Sequence, residues 1–199
     1  MTLRSRLRLR AVAAALLTSI ALQAGAARIA EQTFDDRLSL DGTELVLNGV
    51  GVRAVAWLQG YAAGLYLAEK AASAPQAIAL RGPKRLQMKM LLEVPPKEFV
   101  KAIHKGMVRN HTPAEHAALA DRIAQFDRNV EAIGTVRKGD VVNLDFVPGR
   151  GLVMSLNGQE RGQAIPGDDL YAGMLRIFIG DDPVDKRLKD GLLGRLPPE

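Results

Sequence analysis

Lys84-Arg85-Leu86-Gln87-Met88-Lys89-Met90-Leu91-Leu92-Glu93-Val94 has the alternation of a β-strand: Leu86, Met88, Met90 and Leu92 fall on one face, and Arg85, Gln87, Lys89 and Glu93 mostly on the other. A strand of this kind belongs to a sheet with one packed and one wet face. Upstream, Leu45 and Leu47 alternate with Glu44, Val46 and Asn48, and Asn48-Gly49 reads as a turn. Residues 50–58 and 61–68 then read as two further strands split by Gly60, with Arg53 on the same face as Val55 and Trp57 if the alternation is unbroken. Residues 28–41 read as a polar leading segment.

Downstream of the Lys84 strand the period changes. Residues 96–107 place Phe99, Val100, Ile103 and Met107 on one side of a helix. Thr112-Pro113-Ala114-Glu115 is a capping box with proline at the first helical position, and its helix runs on through Leu119, Ile123, Phe126, Val130 and Ile133. A meander follows: Val142, Leu144 and Phe146, a turn at Pro148-Gly149, then Leu152, Met154 and Leu156, and a second turn at Asn157-Gly158. Residues 168–179 form a third long helix ending at Gly180, and Asp182-Pro183-Val184-Asp185 caps a short final one. Blocks of strands and helices joined by hairpin-length connections give an α+β domain, a mostly antiparallel sheet covered on one side by helices.

The N-terminus has the three parts of a secretory leader: Arg4, Arg6, Arg8 and Arg10, an apolar run over residues 11–22, and Ala24-Gly25-Ala26 at the processing site. The expected division is therefore a signal peptide over residues 1–26 and one domain over residues 27–199, delivered to a bacterial periplasm with no stable membrane anchor after cleavage. The net charge of +5 is largely a property of the leader, which holds four arginines and no acid; the rest is near neutral. Interleaved charges and few aromatic residues argue against a nucleic-acid surface. The absence of cysteine excludes disulfides, lipidation on Cys and thiol chemistry. The remaining 173 residues suit a single core burying about 70% of the unfolded surface, with the oligomeric state left open.

Among these segments Arg53 stands out, as the only charged residue between Leu45 and Ala68. Burying an unpaired guanidinium costs several kcal/mol, roughly, so its partner is a distant acid, carbonyl oxygens, water or a ligand. Arginine stays charged and can grip a carboxylate or a polarised carbonyl through two parallel hydrogen bonds. Competing chemistry finds little support. Gly49-x-Gly51-x-x-Ala54 matches a dinucleotide fingerprint only superficially, since a strand and not a helix follows it. His104, His111 and His116 lack metal-ligand spacing, and the acidic doublets at Asp35, Asp168 and Asp181 fall in loops and helix starts. Ser39, Ser73 and Ser155 sit in no nucleophile elbow. No cofactor or metal is called for, and Arg53 with Tyr61 is the best polar pair.

Three segments together resemble the chalcone isomerase-like family, in its bacterial secreted branch: Leu47-Asn48-Gly49-Val50-Gly51-Val52-Arg53, Gly64-Leu65-Tyr66-Leu67, and Leu175-Arg176-Ile177-Phe178-Ile179-Gly180-Asp181. The resemblance implies an open-faced β-sandwich in which a large antiparallel sheet and a helical layer enclose an apolar cleft. It also implies that Arg53 matches the arginine that, in the plant isomerases, stabilises an enolate during ring closure. A threonine of those enzymes corresponds to Tyr61, and a hydroxyl residue of the late helix to Ile177. An arginine and a tyrosine at these positions instead resemble the fatty-acid-binding members, where the pair holds a carboxylate and the tail lies in the cleft.

Three expectations follow. The favoured one is a periplasmic binding module for a fatty acid or similar amphipathic carboxylate, with Arg53 as clamp, Tyr61 as donor, and Met174, Ile177 and Phe178 near the tail. The second is an intramolecular lyase of the chalcone isomerase type, with Arg53 acting electrostatically. The third is a structural or partner-binding domain in which Arg53 makes only an ion pair.

Overall fold

The computed structural model describes residues 26–55 and 58–197. The strands are β1 (Ala26–Ile29), β2 (Gln32–Asp35), β3 (Arg37–Leu40), β4 (Thr43–Val55), β5 (Leu58–Leu67), β6 (Lys84–Met90), β7 (Val141–Val147), β8 (Gly151–Leu156) and β9 (Gln159–Ile165). The helices are α1 (Ala74–Ala79), α2 (Pro96–Asn110), α3 (Pro113–Ala118), α4 (Ala120–Ile133), α5 (Asp168–Ile179) and α6 (Lys186–Leu192). Most of the expected leader, and the expected sharing of a face between Arg53 and Trp57, lie outside the described residues.

Strands β3 to β9 form one seven-stranded antiparallel sheet in sequence order, and β1–β2 a separate hairpin. The register carries one apolar row across the sheet: Ala63 opposes Met88, Met88 opposes Val142, and Val142 opposes Leu156. A parallel row runs through Leu65, Leu86, Leu144 and Met154. All but Leu156 of these are buried, and the helices cover this face through Ile103 and Met107 of α2, Ile123, Phe126 and Val130 of α4, and most of α5. The stripe expected along the second helix is thus the one buried. The expected single helix breaks at Leu119 into α3 and α4, and the stripe lies on α4 and the Leu119 joint, while α3 buries none of its residues.

The opposite face departs from a simple wet face. Phe34, Leu45, Leu47, Val50, Ala62 and Tyr66 form a second, smaller core there. The expected polar leading segment in fact supplies β1, β2 and β3, and Phe34 is its fully buried anchor. Its charges stay exposed while one residue in two turns inward, so composition hid the strands. Helix α1 was also unforeseen; only the Ser73 N-cap and Pro75 announce it. At the other end of β6, Leu92 is exposed and lies beyond the strand, which closes at Met90. The Thr112 capping box is formed as expected, with Thr112 Oγ1 accepting from the Glu115 N–H at 3.2 Å and Glu115 Oε2 from the Thr112 N–H at 2.8 Å.

Candidate functional site

Strand β4 positions the site, and its path differs from the one expected. Asn48-Gly49 is a bulge inside one long strand, since the pairing with β5 shifts between Leu47 and Gly49. Asn48 is buried, and its amide leaves the ladder to hold other elements. Its Nδ2 donates to the Leu192 carbonyl at 2.8 Å and the Ala71 carbonyl at 3.1 Å, and its Oδ1 accepts from the Ala71 N–H at 2.7 Å. The Lys70 ammonium covers the Leu47 and Asn48 carbonyls that the bulge frees. The turn signal therefore marks an anchor for α6.

Gly49 and Gly51 serve the same purpose. A Cβ on Gly51 would lie 2.9 Å from the Leu188 carbonyl oxygen, and one on Gly49 would collide with the Gly191 carbonyl. Gly191 in turn sits with its own missing Cβ directed at the Val50 carbonyl and 2.9 Å from the Gly51 Cα. The glycines that mimic a dinucleotide fingerprint are the bed on which α6 lies backbone to backbone. Helix α6 therefore covers β4, and its first turn overhangs Arg53.

Arg53 faces Tyr61 directly across β4 and β5, and Tyr61 faces Met90 across β5 and β6. Direct partners of this kind have Cβ atoms about 5 Å apart. Tyr61 packs against the helix-side core, so the pair lies on the helix side of the sheet. The acid that sequence alone did not find is Asp185. Its Oδ2 stands 3.4 Å from Arg53 Nη1 and 3.4 Å from the Ala54 N–H, while its Oδ1 caps α6 by accepting from the Leu188 N–H at 3.0 Å. The same Nη1 also donates to the Ala54 carbonyl. Both of the guanidinium's protein bonds therefore use one nitrogen. Nε and Nη2 have no acceptor among the described residues, and the side chain is 23% exposed.

This pairing is loose beside the one that joins β6 to β7. Arg85 grips Asp145 with two bonds, at 2.7 and 2.6 Å, on the opposite face. Tyr61 has no hydrogen-bonded partner for its hydroxyl among the described residues. Burial pushes its phenol well above the ordinary value, with Arg53 pulling it down and Asp185 pushing it up. At neutral pH the phenol keeps its proton and is a hydrogen-bond donor rather than a base. A guanidinium edge and a protonated phenol side by side can hold a carboxylate or a carbonyl oxygen; neither can take up a proton.

Met174, Ile177 and Phe178 are all buried on α5, whose main packing partners are α1, α2, α6 and β8. Ile177 fills the space over Gly106 of α2, where a Cβ would strike its side chain. Ile177 thus lies against α2, and α5 also touches α6, the element over Arg53. Between α2, α4 and the sheet there is an apolar void of about 20 Å³ lined by Phe99, Ile133, Val142 and Met154. Larger clefts on the surface include one of about 980 Å³ along α2 and one of about 560 Å³ beside Lys84 and Tyr171. Arg53 and Tyr61 line none of these three.

Two of the histidines take ordinary structural parts, His104 Nε2 lying 2.8 Å from Asp127 Oδ2 and His111 Nδ1 2.9 Å from the Met107 carbonyl. Among the described residues no group of three or more His, Asp or Glu side chains could hold a metal ion.

No curated protein sequence matches this chain. Among solved structures, a fatty-acid binding protein of Arabidopsis thaliana shares the fold with a TM-score of 0.61, covering 85% of this chain and 96% of that one at 15% identity. The family model described as chalcone isomerase-like matches residues 26–194, which takes in the sheet, its helical cover and the Gly-x-Arg strand. A match of that extent, over the same meander and helical layer that the sequence motifs pointed to, means that this chain belongs to the chalcone isomerase-like family.

Proposed function

We propose that this chain is a secreted, non-catalytic binding module for a fatty acid or similar amphipathic carboxylate. The ligand's head is held by Arg53 and Tyr61, and its tail enters the apolar layer between sheet and helices toward Met174, Ile177 and Phe178. The observation that carries this reading is the division of the guanidinium. Among the described residues Arg53 spends only Nη1 on protein groups, so its Nε and Nη2 edge, the geometry that takes a carboxylate through two parallel bonds, has no acceptor there, and a proton-bearing phenol stands beside it. That the structure sharing this fold is a fatty-acid binding protein is consistent with that class of ligand.

The tail requires a core that can make room. All five methionines beyond Met1, namely Met88, Met90, Met107, Met154 and Met174, are buried in the helix-side core. Methionine is unbranched and repacks more easily than leucine or isoleucine, so a layer rich in it can open along its length at small cost. The isomerase alternative draws less support. The position matching a plant hydroxyl residue is Ile177, buried in apolar contacts, and Tyr61 holds its proton. Secretion rests on the leader sequence, and we place the mature domain, residues 27–199, in the periplasm.

Native mass spectrometry of the mature chain purified from the periplasm tests this, comparing wild type with Arg53→Ala. A co-purified acid in the wild type that is missing from a folded Arg53→Ala protein is the expected result. The same acid retained by the variant would exclude the clamp. The pairing with Asp185 favours one second reading, an arginine that serves the fold alone, and an empty wild type with a strongly destabilised variant would support it.

A further inference from the structure

The Arg53 clamp carries its own carboxylate. Asp185 reaches Arg53 from 132 positions away in the chain and meets it at the one nitrogen that also binds the Ala54 carbonyl. It is not bound there by necessity. Its other oxygen already has a complete task, capping α6 at Leu188, and a cap needs a side-chain oxygen and no charge. At 3.4 Å its approach to the guanidinium is long for a charge-assisted bond, where about 2.8 Å is usual. Both ends of α6 are fastened without that contact, the far end by Asn48 and Gly49, the near end by Leu188 on Gly51 and by the Val184 N–H donating to the Ile177 carbonyl at 2.8 Å, so the two 3.4 Å contacts of Asp185 Oδ2 are not what docks the helix.

We infer that Asp185 is an internal stand-in for the ligand's carboxylate, which sets the affinity and head-group selectivity of the Arg53 site. This rests on the clamp reading above. Without ligand, Asp185 balances the guanidinium. An anionic head that binds the Nε and Nη2 edge puts a second negative charge beside the first, so it must either displace Asp185 from Nη1 or bear the repulsion. A neutral head group, such as an alcohol, accepts from the same edge and meets no such repulsion. Asp185 therefore handicaps acids relative to neutral lipids, while its Oδ1 keeps the cap of α6.

Equilibrium dialysis of the mature chain at neutral pH against labelled oleate and labelled oleyl alcohol separates the possibilities, using wild type, Asp185→Asn, Asp185→Ser and Arg53→Ala. Asparagine and serine both cap helices well, so α6 keeps its start while the charge is removed. The expected result is that both Asp185 variants bind oleate about three- to tenfold tighter than wild type, as removal of a partly exposed charge interaction allows. Oleyl alcohol should stay within about twofold. Oleate binding that is unchanged or weaker in both variants would overturn the inference, because Asp185 would then only orient the arginine or hold the helix. Equal gains for oleate and oleyl alcohol would overturn it too, since a loosened α6 improves access for both. Retention of oleate by Arg53→Ala would instead remove the clamp itself. Loss in Arg53→Ala with no gain in the Asp185 variants would leave the clamp standing and the stand-in refuted. Absence of oleate binding in wild type and variants alike would end both.

Discussion

Truncating Arg53 should cost little stability and truncating Arg85 a great deal, and because both arginines stand on strands of one sheet the comparison is internal. At Arg53 the pair is partly exposed, with 23% of the arginine side chain and 16% of Asp185 accessible, and one nitrogen meets one oxygen at 3.4 Å. Solvent screening holds a contact of that kind to at most about 1 kcal/mol. The lost bond to the Ala54 carbonyl adds about 1 kcal/mol. Asp185 keeps the Leu188 and Ala54 N–H groups, so no orphaned charge remains, and Arg53→Ala should lose about 1–2 kcal/mol. Arg85→Ala differs in that last respect: Asp145 is 5% exposed and has no other side-chain partner among the described residues. Breaking a buried pair from one side costs about 3–5 kcal/mol. Urea unfolding of the two variants and wild type, read by linear extrapolation, gives both numbers in one experiment. An Arg53→Ala loss as large as that of Arg85→Ala would refute the reasoning, because it would show Arg53 to be a structural ion pair with no spare capacity for a ligand.

The remaining predictions concern neighbouring features. The Arg85→Ala deficit should shrink in acid. Burial raises the Asp145 carboxyl above its ordinary 3.8 while Arg85 draws it down, so removing Arg85 raises it further. A raised carboxyl contributes its stability below 3.8 and loses it as pH climbs through the folded value, so the gap to wild type should be smallest below that pH and widest at neutrality; a gap that grows on acidification would contradict this. Gly191→Ala should cost about 1–3 kcal/mol, because its Cβ meets the backbone of Val50 and Gly51, which cannot rotate away. An unchanged melting temperature would mean that α6 does not lie on β4. Thr112→Ala should lose about 1 kcal/mol with no change in ligand retention, as only the cap of α3 is touched. Tyr61→Phe should weaken oleate about three- to tenfold, the share of one hydrogen bond, and leave urea stability nearly unaltered because no described group loses a partner.

Most of the sheet was legible from period alone. β6, β7, β8 and the α5 boundaries follow from alternation, turn residues, the acids Asp168 and Asp169 in the first turn and Gly180 at the end, which are all local signals. The β1–β3 segment was not legible, since its inward residues are separated by charges that outweigh them in any composition count. Only Phe34, fully buried against β4 and β5, shows why the chain stops being a tail there. The Asn48-Gly49 bulge was misread for a related reason. Asn-Gly has the same local preference in a hairpin turn and in a bulge, and what decides between them is the long-range demand of Ala71 and Leu192 for the Asn48 amide.

The site divides along the same line. Arg53 and Tyr61 sit on consecutive strands, and the register of a short hairpin brings them together without help from the rest of the chain. What the pair can bind is decided by α6, which in sequence looked like no more than a capped terminal turn. Gly49 and Gly51 admit its backbone, Asn48 fixes its end, and the residue that must cap its first turn arrives beside Arg53 as a consequence of that docking. Any polar capping residue would have served the helix, since Asn and Ser cap as well as Asp. Only an acid also offsets the arginine's charge. Asp at position 185 therefore answers both the start of α6, where a negative charge is favourable, and Arg53, and the electrostatics of the site belong as much to the helix as to the strand that carries the guanidinium.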